Sequence, residues 1–167
     1  MSHRFIKTLA VCGGMAAFAL VTFPALADSP PGPKLALSQR LRKLISEEML
    51  SIKQASAQIL NGIVVSDHAI IATSAQQIHD SFILEKNLTE QDKKDLVKGV
   101  PPEFLHLDGE FHETAQKLAD AAKAKNSELE LFYFGRMIEG CHGCHAQYAK
   151  ERFPGFGGKQ EGGGHAH

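Results

Sequence analysis

The feature that most constrains this chain is five residues long: Cys141-His142-Gly143-Cys144-His145. On a helix, positions three and four apart share a face, so Cys141, Cys144 and His145 stand together on one turn. The pattern Cys-X-X-Cys-His is the attachment signature of a c-type haem. Two thiols add to the two vinyl groups of one macrocycle, and the next residue places an imidazole under the iron. Two other chemistries use Cys-X-X-Cys. A zinc site usually needs more thiolates, and a redox dithiol of the thioredoxin kind belongs in a βαβ unit. The chain beyond residue 27 has no third cysteine, and no βαβ pattern surrounds the motif. The expected cofactor is therefore one covalent haem c, held by Cys141 and Cys144 and ligated by His145.

The first 27 of the 167 residues read as a secretory signal peptide. Arg4 and Lys7 make a basic start, Leu9 to Leu20 is mostly apolar, and Ala25-Leu26-Ala27 is a small-X-small cleavage site before Asp28. The apolar run is too short, and Pro24 too close behind it, for a membrane span. No membrane-spanning part is expected once the signal is removed. Cys12 falls within the discarded segment. Export to an oxidising compartment suits covalent haem attachment, and the expected location is the periplasm. Removing Arg4 and Lys7 leaves 16 basic against 19 acidic residues, a net of −3. That balance excludes a nucleic-acid binder and suits transient contact with redox partner proteins, through a basic patch on the partner. No nucleotide-binding glycine loop or serine-nucleophile elbow is present.

Alanine-rich stretches with few alternating β-branched runs predict helices. Residues 28–37, with three prolines and a glycine, form a flexible lead-in. A first helix is expected from a Ser38 N-cap to about Val65, with Leu41, Ile45, Met49, Ile52, Ile59, Leu60 and Ile63 inward and Gly62 loosening its last turn. A second runs from about His68 to Leu84, with Ile71, Ala75, Ile78 and Phe82 inward. A short helix capped by Thr89 covers about Glu90 to Val97, ended by Gly99 and Pro101-Pro102. A third long helix, Glu103 to Ala124, offers Phe104, Leu107, Phe111, Ala115, Leu118 and Ala122, with Gly109 a weak point. Ser127-Glu128-Leu129-Glu130 reads as a capping box for the last helix. Its stripe is Leu131, Phe134, Ile138, Cys141, His145 and Tyr148, and Pro154 stops it. Residues 155–167, rich in glycine and histidine, read as a disordered tail.

Four amphipathic helices with three connections predict an all-α, antiparallel up-down-up-down four-helix bundle over residues 38–154, with the haem facing its interior. Met49 lies ~17 Å into the first helix and His145 ~12 Å before the end of the last, at 1.5 Å per residue. The two are then level within about one turn, which makes Met49 the candidate sixth ligand. The alternative for Met49 is a core side chain filling a gap.

A signal peptide, four helices and a Cys-X-X-Cys-His on the last helix resemble the class II c-type cytochromes, the cytochrome c′ group. The resemblance spans nearly the whole chain beyond the signal in helix order, and its specific part is the motif and its place. It implies haem thioethers at Cys141 and Cys144 and a proximal ligand at His145. Low-spin members of that family also use a methionine from the first helix, which corresponds to Met49. Members without it keep an open or screened distal face that binds small gases. Dimers are common in the family, so a homodimer is a possible assembly.

Other residues have weaker claims. His112 is the rival sixth ligand, though its place beside the apolar stripe reads as a rim. His68, His79 and His106 read as exposed, and His142 as pointing away from the haem. Arg136 and Arg152 are candidates to pair with haem propionates, and Tyr148 to pack on the macrocycle edge. No arrangement argues for an enzyme. A His/Met pair saturates the iron and raises its potential relative to bis-histidine ligation, so the expected function is a one-electron carrier. The alternative is a five-coordinate haem protein binding NO or CO for scavenging or sensing.

Overall fold

Local sequence sets where each helix begins. In the computed structural model, which describes residues 33–81 and 88–156, five α-helices and one 3₁₀ turn are present and no strand occurs among those residues. They are α1 (Gln39–Val65), α2 (His68–His79), α3 (Glu90–Gly99), α4 (Pro102–Lys123), α5 (Ser127–Tyr148) and the 3₁₀ turn Pro154–Phe156. The expected signal peptide with its cleavage site, Phe82 and Leu84, and residues 157–167 of the expected tail lie outside the described residues.

Ser38 caps α1, its hydroxyl accepting from the Leu41 N–H at 3.2 Å. Asp67 caps α2, one carboxylate oxygen accepting from the N–H groups of Ala69 and Ile70. Thr89 and Asp92 close a reciprocal capping box on α3, and Pro102 opens α4, where a missing N–H costs nothing. At α5 the expectation needs correction. The cap is Asn126, whose side-chain oxygen accepts from the Leu129 N–H, rather than Ser127. Lys125 takes a left-handed conformation, φ 55°, so extended geometry arrives one residue earlier, on a residue that caps as well as serine does.

The described residues belong to one compact unit, Pro31–His167. Within it α2 packs on α1 and α4, and α4 packs on α5, whereas α1 and α5 meet only sparsely. Two apolar clusters result. The larger joins Ile52, Ala55 and Ile59 of α1, Ile71, Ala75 and Ile78 of α2, Ala115, Leu118, Ala119 and Ala122 of α4, and Met137 of α5. Each fully buried isoleucine or leucine here is worth about 1.5–3 kcal/mol. The smaller cluster joins Leu37, Leu41, Leu96, Val100 and Phe104, with Ile45, Cys144 and Tyr148 packed against it.

Several inward stripes differ from those read from the pattern. On α1 the buried line is Leu41, Leu44, Glu48, Ile52, Ala55, Ile59 and Gly62. Met49 and Leu60 lie off it, exposed. Gly62 does not loosen the helix: a Cβ there would stand 2.8 Å from Ile71 Cγ1, so glycine permits the close approach of α2. Gly109 sits inside an unbroken α4. On α5 the buried residues are Glu130 and Met137, whereas Leu131 (59%) and Ile138 (49%) are exposed. That line is rotated by about one residue from the expected one. α5 also ends at Tyr148, before Pro154, which instead starts the 3₁₀ turn. No helix among the described residues is long and apolar enough to cross a membrane.

Candidate functional site

Cys141, Cys144 and His145 occupy the last two turns of α5, each half-buried. Both thiols are free. Burial pushes the Cys141 thiol up, and burial with the nearby Asp108 and Cys141 pushes Cys144 up to about 11. A redox dithiol works through a stabilised thiolate; these surroundings do the opposite. Among the described residues no group of three or more His, Cys, Asp or Glu side chains is placed to hold a metal ion. A haem iron needs no such group, since the macrocycle supplies four of its ligands.

Burial, and then the charge of Arg152, hold His145 below the usual histidine range, which keeps the imidazole neutral near pH 7, the form that ligates a metal. No described residue hydrogen-bonds to its ring nitrogens. Phe153 covers the ring instead, centroids 4.7 Å apart and planes 31° apart. Cys144 and Tyr148 rest on the smaller apolar cluster, and Tyr148 meets Phe104 edge-on at 5.3 Å. Two thiols one turn apart, an adjacent imidazole with its nitrogens open, and flanking Leu41, Ile45, Phe104 and Tyr148 together fit the demands of a covalent haem.

Helical geometry locates the open side. Residues advance about 100° each. On α1, Gly62 marks the side against α2, and Met49 and Leu60 lie beyond the buried line on the opposite side. On α5, Gly140 marks the side against α4, since a Cβ there would meet Phe111 Cδ2 at 3.5 Å. Leu131, Ile138 and His145 lie on the opposite side. Each helix thus turns a half-exposed apolar flank away from its well-packed neighbour. Met49, 36% exposed, is on one flank and His145 is on the other. Met49 is therefore not the core side chain of the alternative reading. Level reckoned from helix ends does not survive, because α5 stops early. The smaller cluster instead contains Leu41 of α1, and Cys144, Tyr148 and Ile45, the last one turn before Met49, each pack against that cluster.

The remaining candidates sort differently from expectation. His112 is not a rim residue: it is 1% exposed, its Nδ1 2.8 Å from the Ile78 carbonyl oxygen. Its Nε2 faces Glu48 at 3.8 Å and Asp108 at 3.9 Å. His68 is not exposed either: its Nδ1 is 2.7 Å from Oε1 of the buried Glu130. His79 is partly buried and 3.1 Å from the His112 carbonyl oxygen. His106 is exposed beside Glu110, and exposed His142 packs edge-on against Phe156. The Arg136 guanidinium pairs with Glu139 at the surface, which ties up the group proposed for a propionate. Arg152 is exposed.

Sequence reasoning missed Glu48, Asp108 and Phe153. Glu48 falls on the buried period of α1, but a count of apolar positions passes over an acid. Phe153 lies past the helix, where periodicity has nothing to say. Comparison with protein-family models, curated proteins and solved structures finds no match.

Proposed function

We propose that this chain is an exported c-type cytochrome of the class II kind, a periplasmic one-electron carrier built as an antiparallel four-helix bundle. One haem would be held through Cys141 and Cys144, with His145 and Met49 as the side chains that would ligate its iron. The observation that carries the reading is the half-buried Cys141/Cys144/His145 turn, with Cys144 packed on the smaller apolar cluster and His145 on the α5 flank that looks away from α4, together with Met49 on the α1 flank that looks away from α2. The bound haem supplies a one-electron ferric/ferrous couple. Cys141 and Cys144 anchor it by thioethers, so it stays attached in both oxidation states. His145 offers a neutral imidazole. Leu41, Ile45, Phe104 and Tyr148 exclude water from one edge, and such burial raises the potential because the oxidised centre carries more charge. The acidic net charge favours transient partners with a basic docking patch.

One observation favours a second reading. Met49 stands off the buried line, and if it does not reach the iron the distal face takes NO or CO instead. Absorption spectra of the haem-loaded mature protein, with and without carbon monoxide, separate the two. Low-spin ferrous bands, a ferric sulfur-to-iron band that Met49→Ala abolishes, and indifference to carbon monoxide are expected. A high-spin spectrum that shifts with carbon monoxide overturns the carrier. A protein matured with a haem-attachment system that carries no covalent haem overturns both.

A further inference from the structure

Beyond α5 the chain doubles back. The Ala149 carbonyl accepts from the N–H groups of both Arg152 and Phe153, at 2.9 and 3.0 Å, and the Phe153 carbonyl accepts from the Phe156 N–H at 3.0 Å. Pro154 starts the 3₁₀ turn between the two aromatic residues. These bonds return Phe153 and Phe156 to the last turns of α5, where His142 and His145, three residues apart, present two rings. Phe153 stacks on His145 at a tilt of 31°, centroids 4.7 Å apart, and Phe156 takes His142 edge-on at 4.9 Å. The two phenyl rings also meet each other, 6.4 Å apart.

We propose that Phe153 is a positioning residue for the iron ligand: it clasps the face of the His145 imidazole, sets the rotation of that ring and keeps water off it. The proposal rests on the haem reading above. A ring laid on an imidazole face leaves both nitrogens uncovered, because they point outward in the ring plane. The contact can therefore persist when a nitrogen is given to iron. Outer contacts that fix an imidazole tune the metal it holds, and excluding water disfavours the more highly charged ferric state. Phe156 touches His142, which is not a ligand in this reading, so it serves as the internal control.

The test uses mature haem-loaded protein in five forms: wild type, Phe153→Ala, Phe153→Leu, Phe153→Trp and Phe156→Ala. Haem content is read first, then midpoint potential and the ferric electron paramagnetic resonance line shape, which reports the axial imidazole's orientation. Phe153→Ala is expected to lower the potential and alter the line shape. Phe153→Leu, keeping bulk but not a flat face, alters the line shape. Phe153→Trp restores both, and Phe156→Ala leaves both unchanged. Haem retained only by the wild type, Phe153→Trp and Phe156→Ala also supports the clasp. A Phe153→Ala or Phe153→Leu protein with wild-type potential and line shape overturns it. Equal effects from Phe156→Ala, or haem loss in every Phe153 variant including Phe153→Trp, also overturn it, since they mark a purely structural role. A wild type without haem overturns the haem reading itself, and the clasp with it.

Discussion

Glu48 and Met49 are consecutive residues of α1 that face different surroundings: Glu48 is 1% exposed opposite His112, and Met49 is 36% exposed on the adjacent flank. One step of about 100° along the helix thus sends an acid inward and leaves a methionine half in solvent.

That division predicts what Met49→Ala does to the haem-free chain. A core methionine truncated to alanine costs about 2–5 kcal/mol, whereas a flank residue costs less than about 1 kcal/mol. The smaller value is expected in urea denaturation followed by circular dichroism. A cost near the upper range would return Met49 to the core.

Truncating one side of the buried Glu48–His112 contact strips the other of a buried polar neighbour, although His112 keeps Asp108 at 3.9 Å and the Ile78 carbonyl at 2.8 Å. His112→Ala and Glu48→Ala are each expected to destabilise by about 1–3 kcal/mol, the cost of a buried polar group losing a neighbour. The double change Glu48→Leu/His112→Phe is expected to cost clearly less than the sum, because neither group is then left behind. Strict additivity in the same melts would mean that the two do not act as a unit.

Asp92 gives a pH signature. Hydrogen bonds from the Thr89 hydroxyl and N–H, then from Arg40, hold its carboxyl at about 2 rather than the ordinary 3.8. A carboxyl lowered in the folded state contributes stability that is complete above its unfolded value and lost as pH falls through the folded one. The melting-temperature gap between wild type and Asp92→Asn is therefore expected to be constant from neutral pH down to about 5 and to close between about 4 and 2. A gap independent of pH across that window would contradict the assignment.

Glycines separate by what surrounds them. At Gly99 a Cβ would stand 2.5 Å from the Ala36 carbonyl oxygen, where the Ala36 N–H also bonds Gly99 at 2.7 Å. Gly99→Ala is expected to destabilise by about 1–3 kcal/mol through that overpacking. Gly109 and Gly135 have nothing within 4 Å of the added atom. Alanine at either is expected to stabilise by about 0.5–1 kcal/mol, from helix propensity alone. Thermal melts of the three variants give the ordering.

The sequence by itself determined the helical class, most helix starts and the Cys141/Cys144/His145 turn. Caps such as Ser38 and Thr89 act on N–H groups two or three residues away, and Cys-X-X-Cys-His is read within one turn, so neither needs the rest of the chain. Tertiary structure alone decided which line of each helix turns inward. A broad apolar arc admits lines one residue apart, and α1 could bury either Met49 or its neighbour until His112, arriving from α4, gave Glu48 an interior partner. On α5 the same choice put Met137 inside and Ile138 outside. Phe153 reached His145 through a turn past the helix end, where no periodic signal exists. Local chemistry is encoded over a few residues; the buried face depends on groups brought from dozens of residues away.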